Sequence, residues 1–100
     1  MIVVRDVFRL KFGQSGHASV LWKEAVKVLK SSGFKGETRL LTDLAGPDYY
    51  TLILESTFPT AADWEKASAA VRADPQWKAA YAKIVPLTET GHREILSVIE

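Results

Sequence analysis

Leu41-Thr42-Asp43-Leu44-Ala45-Gly46-Pro47-Asp48-Tyr49-Tyr50-Thr51-Leu52-Ile53-Leu54-Glu55 decides the fold. Two apolar runs flank Ala45-Gly46-Pro47-Asp48. Each of the last three residues favours a reversal: Gly by its free φ, Pro by its fixed one, Asp by bonding to its own backbone. The stretch reads as a hairpin with a loop of about four residues, its strands spanning 37–44 and 49–58.

Upstream, Ala18, Leu21, Trp22, Ala25, Val28 and Leu29 recur at helical spacing, with Lys23, Lys27 and Lys30 on the wet side. This predicts a helix over 17–32, with Ser15 as N-cap and Gly33 at the C′ position, where positive φ suits glycine. Before it, 2–12 alternates as a strand. Downstream, Phe58-Pro59-Thr60 ends the hairpin, and Thr60 with Asp63 forms a capping box for a helix bearing Trp64, Ala67 and Val71. Asp74-Pro75 restarts that helix, which then carries Trp77, Ala80, Tyr81 and Ile84 as far as Pro86. Gly91 is expected to open a last strand over 92–99. The order is strand, helix, strand, strand, helix, strand. That is the ferredoxin-like α+β arrangement, a four-stranded antiparallel sheet with its helices on one face.

The other sheet face is then uncovered. Alternation assigns Ile2, Val4, Phe8, Leu10, Leu40, Leu44, Leu52 and Leu54 to the helix side. The opposite side takes Val3, Val7, Leu41 and Ile53 mixed with Arg5, Arg9, Arg39 and Glu55. That mixture is too apolar for water and too charged for an ordinary core, and it suits a partner sheet with charges paired across the seam. A homodimer through the sheet faces is expected. Size argues the same way, because 100 residues fit one domain (1–100) whose core is marginal by itself.

Composition removes other classes. Thirteen Lys and Arg against twelve Asp and Glu leave a net charge of +1, no footprint for nucleic acid or an anionic membrane. With no cysteine, disulfides, thiolate metal sites and a cysteine nucleophile are excluded. A cytoplasmic location is expected, and Met1-Ile2-Val3-Val4-Arg5-Asp6, with four apolar residues before charge begins, is expected to be neither signal peptide nor membrane span.

Leu10-Lys11-Phe12-Gly13, the hairpin quoted above, Asp63-Trp64-Glu65, Asp74-Pro75-Gln76-Trp77 and Arg93-Glu94-Ile95 carry a resemblance. The chain resembles the dimeric α+β barrel superfamily and within it is similar to the NIPSNAP-like group, with antibiotic-biosynthesis-monooxygenase-like proteins as relatives. The resemblance implies a homodimer with facing sheets, helices outside, and often a pocket between each sheet and its helices. Relatives include cofactor-independent monooxygenases, haem-degrading oxygenases, lactone isomerases and stress-response proteins. Fold does not choose among them.

Chemistry-bearing residues are few. Asp6 interrupts an apolar stripe on the helix side, where a carboxylate needs a partner; it is a candidate pocket acid or base, or a structural residue either turned outward by a bulge or hydrogen-bonded to a tryptophan or tyrosine. His17, at the start of the first helix, is either a functional residue (a second candidate base, or a haem ligand if the pocket opens there) or an exposed first-turn residue. His92 invites the same two readings. Trp22, Trp64 and Tyr81, with Trp77, lie on the inner helical stripes, as core or as the wall of a pocket for a flat ligand. Tyr49 and Tyr50 would edge the pocket or the dimer seam, and Arg39 would pair with Glu55. No metal site or cofactor is expected. The leading expectation is a small dimeric barrel binding a small hydrophobic or aromatic molecule, with no evident catalysis. The alternatives are a cofactor-independent monooxygenase, a haem-binding or haem-degrading protein, and a non-catalytic assembly module with a filled interior.

Overall fold

The computed structural model describes residues 1–100. The elements follow the expected order: β1 (Ile2–Leu10), α1 (Ser15–Ser31), β2 (Glu37–Thr42), β3 (Thr51–Phe58), α2 (Ala61–Ala73), α3 (Pro75–Ile84) and β4 (Thr88–Ser97), with a 3-10 turn at Val85–Leu87 before β4. The sheet is antiparallel in the order β2-β3-β1-β4. This is the ferredoxin-like α+β fold. No helix is long and apolar enough to cross a membrane.

Alternation sorts the sheet as expected. On β3, Leu52, Leu54, Ser56 and Phe58 are buried and the residues between them are half-buried. Val4 and Leu10 of β1 join them beneath α1, whose Ala18, Trp22, Ala25 and Leu29 are buried. Leu21 and Val28, on the same predicted stripe, are only half-buried.

The helix ends explain themselves chemically. Gly33 takes φ +83°. The Gly33 and Phe34 amides donate to Lys30 O and Leu29 O at 3.3 and 3.4 Å, a Schellman closure that spends two otherwise orphaned carbonyls. Thr60 caps α2 through its Oγ1, which accepts from the Asp63 amide at 3.2 Å. Asp74 caps α3, accepting from the Gln76 amide at 2.8 Å, with Pro75 in the first turn.

Four boundaries differ from the sequence reading. First, β1 stops at Leu10 because Lys11–Gly13 turns, with Gly13 at φ +77° and the Gln14 amide donating to Lys11 O. Phe12 is therefore exposed, edge-on to Tyr50 at 4.8 Å. Second, α1 begins at Ser15 itself and its N-cap is Gln14, which makes no side-chain cap bond; the Ser19 hydroxyl instead donates to Ser15 O. Third, the hairpin loop runs over 43–50, because Asp43 Oδ1 takes the Thr51 amide at 2.8 Å and ends the backbone ladder. Leu44 is thus fully exposed instead of facing the helices. Fourth, β4 begins at Thr88, straight after the 3-10 turn, so Gly91 lies inside the strand opposite Phe8. A Cβ there would stand 2.9 Å from Phe8 Cδ1, which gives the glycine a packing role.

Candidate functional site

The helix layer does not close on the sheet. A cleft of about 1030 Å³ remains between β1, β3 and β4 on one side and the three helices on the other. The interior is therefore not filled. Val4, Asp6, Phe8, Leu54, Ser56 and Arg93 contribute from the sheet, and Trp22, Trp64, Val71, Trp77 and Tyr81 from the helices.

Helical spacing makes the aromatic wall. Trp77 and Tyr81 stand one turn apart on α3, ring centroids 5.7 Å apart, because Pro75 and the Asp74 cap fix where the helix begins. Trp22, from the buried stripe of α1, meets Tyr81 edge-on at 6.1 Å, Trp77 at 6.4 Å and Phe8 of β1 at 5.1 Å. These separations are within the range in which aromatic quadrupoles attract. Trp22 is fully buried, and its Nε1–H has no acceptor in the chain. An orphaned buried donor of this kind costs roughly 1–3 kcal/mol.

Asp6 faces the helix side of β1, opposite Leu54 and Arg93 on the neighbouring strands. The Arg93 Nε–H donates to Asp6 Oδ1 at 2.6 Å, which supplies the partner that a carboxylate on an apolar stripe requires. The Arg93 guanidinium carbon also lies 5.1 Å from the centroid of the Trp64 ring, within cation–π range. Strand pairing and α2 thus hold one arginine from two sides. Tyr81 senses both charges: burial raises its hydroxyl pKa above the ordinary phenol value of 10.0, the Asp6 charge raises it further, and Arg93 pulls it back.

The structure therefore gathers Asp6, Trp22, Trp64 and Tyr81 in one cleft, with Trp77 beside them. Trp77 is half-buried on the cleft wall instead of deep in the core. His17 stands outside it, exposed in the first turn of α1. His92 lies at the cleft rim, but its Nε2 pairs with Glu94 Oε2 at 3.5 Å. By register both residues belong to the uncovered face, with Val7, Arg5 and Glu55. Tyr49 and Tyr50 belong to the hairpin loop and do not line the cleft. Arg93 and Ser56 escaped the sequence reading as site residues. The signal for Arg93 was parity: once β4 starts at Thr88, residue 93 must face Asp6. Ser56 is the one buried polar residue, its hydroxyl 3.5 Å from that of Thr38.

The uncovered face carries its own order. Arg39, Glu55, Arg5 and Glu94 stand side by side across all four strands. The pairs measure 2.8 Å (Arg39–Glu55), 3.8 Å (Arg5–Glu55) and 3.9 Å (Arg5–Glu94). Leu41, Ile53 and Val7 form the adjoining apolar row, ending in His92.

Geometry of this kind defines a two-layer ferredoxin-like protein with an aromatic cleft between its layers. No protein-family model and no curated protein matches the chain. Among solved structures it is similar to an uncharacterised NIPSNAP domain protein from Burkholderia xenovorans, at a TM-score of 0.87 and 18% identity over 99% of this chain and 95% of that one. A NIPSNAP family protein from Agrobacterium tumefaciens matches at a TM-score of 0.86 and 17% identity, covering 99% and 93%. More distant is SnoaB, a cofactor-independent oxygenase from Streptomyces nogalater, at 0.72 and 10% identity, covering 99% and 93%. At these identities the shared property is the fold, the ferredoxin-like α+β arrangement that the sequence pattern predicts.

Proposed function

We propose that the chain binds a small, flat, hydrophobic or aromatic molecule in the cleft between sheet and helices. The observation that carries this reading is the cleft itself: about 1030 Å³, walled by Phe8, Trp22, Trp64, Trp77 and Tyr81, with one polar cluster, Asp6 and Arg93, to orient a guest. Residues 1–100 act as one half of a dimeric barrel, two copies meeting through the uncovered faces, where Val7, Ile53 and Leu41 lie half-buried beside the charged row.

Tryptophan fluorescence tests the reading directly. Titration with naphthalene-2-methanol, a neutral flat probe, should give saturable quenching. Ser68→Phe, which fills the cleft from α2 without emptying the core, should abolish it. Absence of saturable quenching by this and by charged naphthalenes overturns the proposal.

A second reading, a cofactor-independent oxygenase acting on a phenolic substrate, draws support from Tyr81 standing under the influence of Asp6 and Arg93, and from the fold likeness to an oxygenase of that kind. Oxygen uptake dependent on an added phenol, and lost in Tyr81→Phe, is its test. The haem reading needs a histidine facing the cleft; the ring of His92 pairs with Glu94 and His17 lies outside.

A further inference from the structure

We infer that the molecule taken up by this cleft is an aromatic anion, a carboxylate or its equivalent, and that Arg93 is the group that selects it; this rests on the ligand-binding reading above. Arg93 makes one side-chain hydrogen bond, from Nε to Asp6 Oδ1. A guanidinium has five N–H donors in a fixed fork, and the pair on the two Nη nitrogens matches a carboxylate end-on. Using Nε for Asp6 leaves that fork unspent. The position of the fork is not left to the side chain's own flexibility. Asp6 anchors it from β1 and the Trp64 ring, 5.1 Å away, supports it from α2. Pre-fixing a long side chain removes part of the entropy that binding would otherwise cost.

The surroundings carry the same sign. Of the fixed charges lining the cleft, Arg72, Lys78 and Arg93 are cations and Asp6 and Glu89 are carboxylates. Asp6 is engaged by Arg93, and Glu89 Oε2 lies 3.8 Å from Arg9 Nε. Arg72 and Lys78 make no ion pair with a carboxylate of the chain. An anionic guest therefore enters a cleft whose two carboxylates are already occupied and two of whose three cations, Arg72 and Lys78, are not. A ring stacked against Trp77 and Tyr81, with its charged group toward Arg93, satisfies both halves of the site. The protonated Tyr81 hydroxyl, kept so by burial and by Asp6, is a further donor on the same side.

Asp6 has a second effect on this arrangement. Its charge opposes any anion at Arg93, so it limits affinity while it fixes geometry. Neutralising it with a side chain that still accepts from Nε should strengthen anion binding, whereas a residue with a purely structural role would only lose function.

Three matched probes decide the matter: 2-naphthoate, naphthalene-2-methanol and 2-naphthylmethylammonium, titrated by tryptophan fluorescence and calorimetry. Wild type should prefer the carboxylate by tenfold or more over both others. Arg93→Met should erase that preference while still binding the neutral probe, and Asp6→Asn should raise carboxylate affinity severalfold. Equal binding of all three probes by wild type overturns the anion assignment and leaves the cleft reading intact. A preference that survives Arg93→Met overturns the role of Arg93. Loss of all binding by wild type overturns both. Circular dichroism checks that each variant is folded; should Arg93→Met unfold, Asp6→Asn decides alone, and unchanged or weaker carboxylate binding by it overturns the assignment.

Discussion

Ser32 and Asp74, at the end of α1 and the break between α2 and α3, are joined by a hydrogen bond from the serine hydroxyl to Asp74 Oδ2. The bond ties the two helical segments at one corner of the layer. It also holds the Asp74 carboxyl below its usual value of 3.8, the Gln76 amide adding to the effect. A depressed carboxyl contributes stability that is present above its unfolded pKa and drains away as pH falls through its folded value. Ser32→Ala should therefore be less stable than wild type near neutrality, and the gap should narrow below about pH 4. Thermal melts across that window are the check; a gap that stays constant would show that the serine acts by packing alone.

Tyr81 gives the opposite sign. Its raised pKa favours the neutral phenol in the folded chain, so the contribution is complete below the unfolded value and is lost as pH rises through the folded one. The ultraviolet titration of wild type minus that of Tyr81→Phe should show a phenol ionising above pH 10.0. Wild type should also lose stability faster than Tyr81→Phe in that alkaline range. A difference titration at or below the ordinary value would remove the burial argument.

Two of the three tryptophans of the wall, Trp22 and Trp77, should separate in a denaturant titration. Trp22 has no exposed surface and joins the core cluster of Leu10, Ala25, Leu52 and Ile84. Trp22→Ala should cost about 3–5 kcal/mol. Trp77 is half-buried on the cleft wall, and Trp77→Ala should cost roughly 1–2 kcal/mol. Equal losses would mean that the cleft is closed over Trp77.

Gly33→Val should destabilise by about 1 kcal/mol or more, because a β-branched residue resists the positive φ that the Schellman closure of α1 needs. Unchanged stability would show that the chain can leave α1 another way.

Association is checked by sedimentation at low micromolar concentration. Wild type should be a dimer, and Val7→Asp or Ile53→Asp, each placing a carboxylate in the apolar row of the uncovered face, should dissociate or unfold it. A monomeric wild type, or a dimer indifferent to both substitutions, would refute the sheet-to-sheet seam.

Much of this was legible in the residues because the relevant forces are local. Alternation along β1 put Asp6 on the helix side, and helical spacing put Trp22, Trp64 and Tyr81 on inner faces; all four meet in the cleft. What was not legible depends on partners distant in sequence. The hairpin loop is longer than Gly46-Pro47 requires because Asp43 captures the Thr51 amide, a side-chain competition that periodicity does not reveal. The start of β4 at Thr88 is hidden because Thr-Glu-Thr-Gly looks like loop, and only pairing with β1 makes it strand. The Asp6–Arg93 bond spans nearly the whole chain, so the arginine could not be assigned until the strand order placed β4 beside β1.

In the proposed sheet-to-sheet dimer the charged row on the open face acts as a registration mark. Read across the strands in spatial order it runs Arg39, Glu55, Arg5, Glu94, plus-minus-plus-minus. A second copy that meets it in reversed order sets every cation against a carboxylate. Sliding that copy sideways by a single strand, about 4.8 Å, brings like charge against like. The apolar row beside it has no such preference, since methyl groups attract in any alignment. Greasy contact alone would let two sheets stick in many positions; the row penalises the near misses and leaves one alignment clearly below the rest.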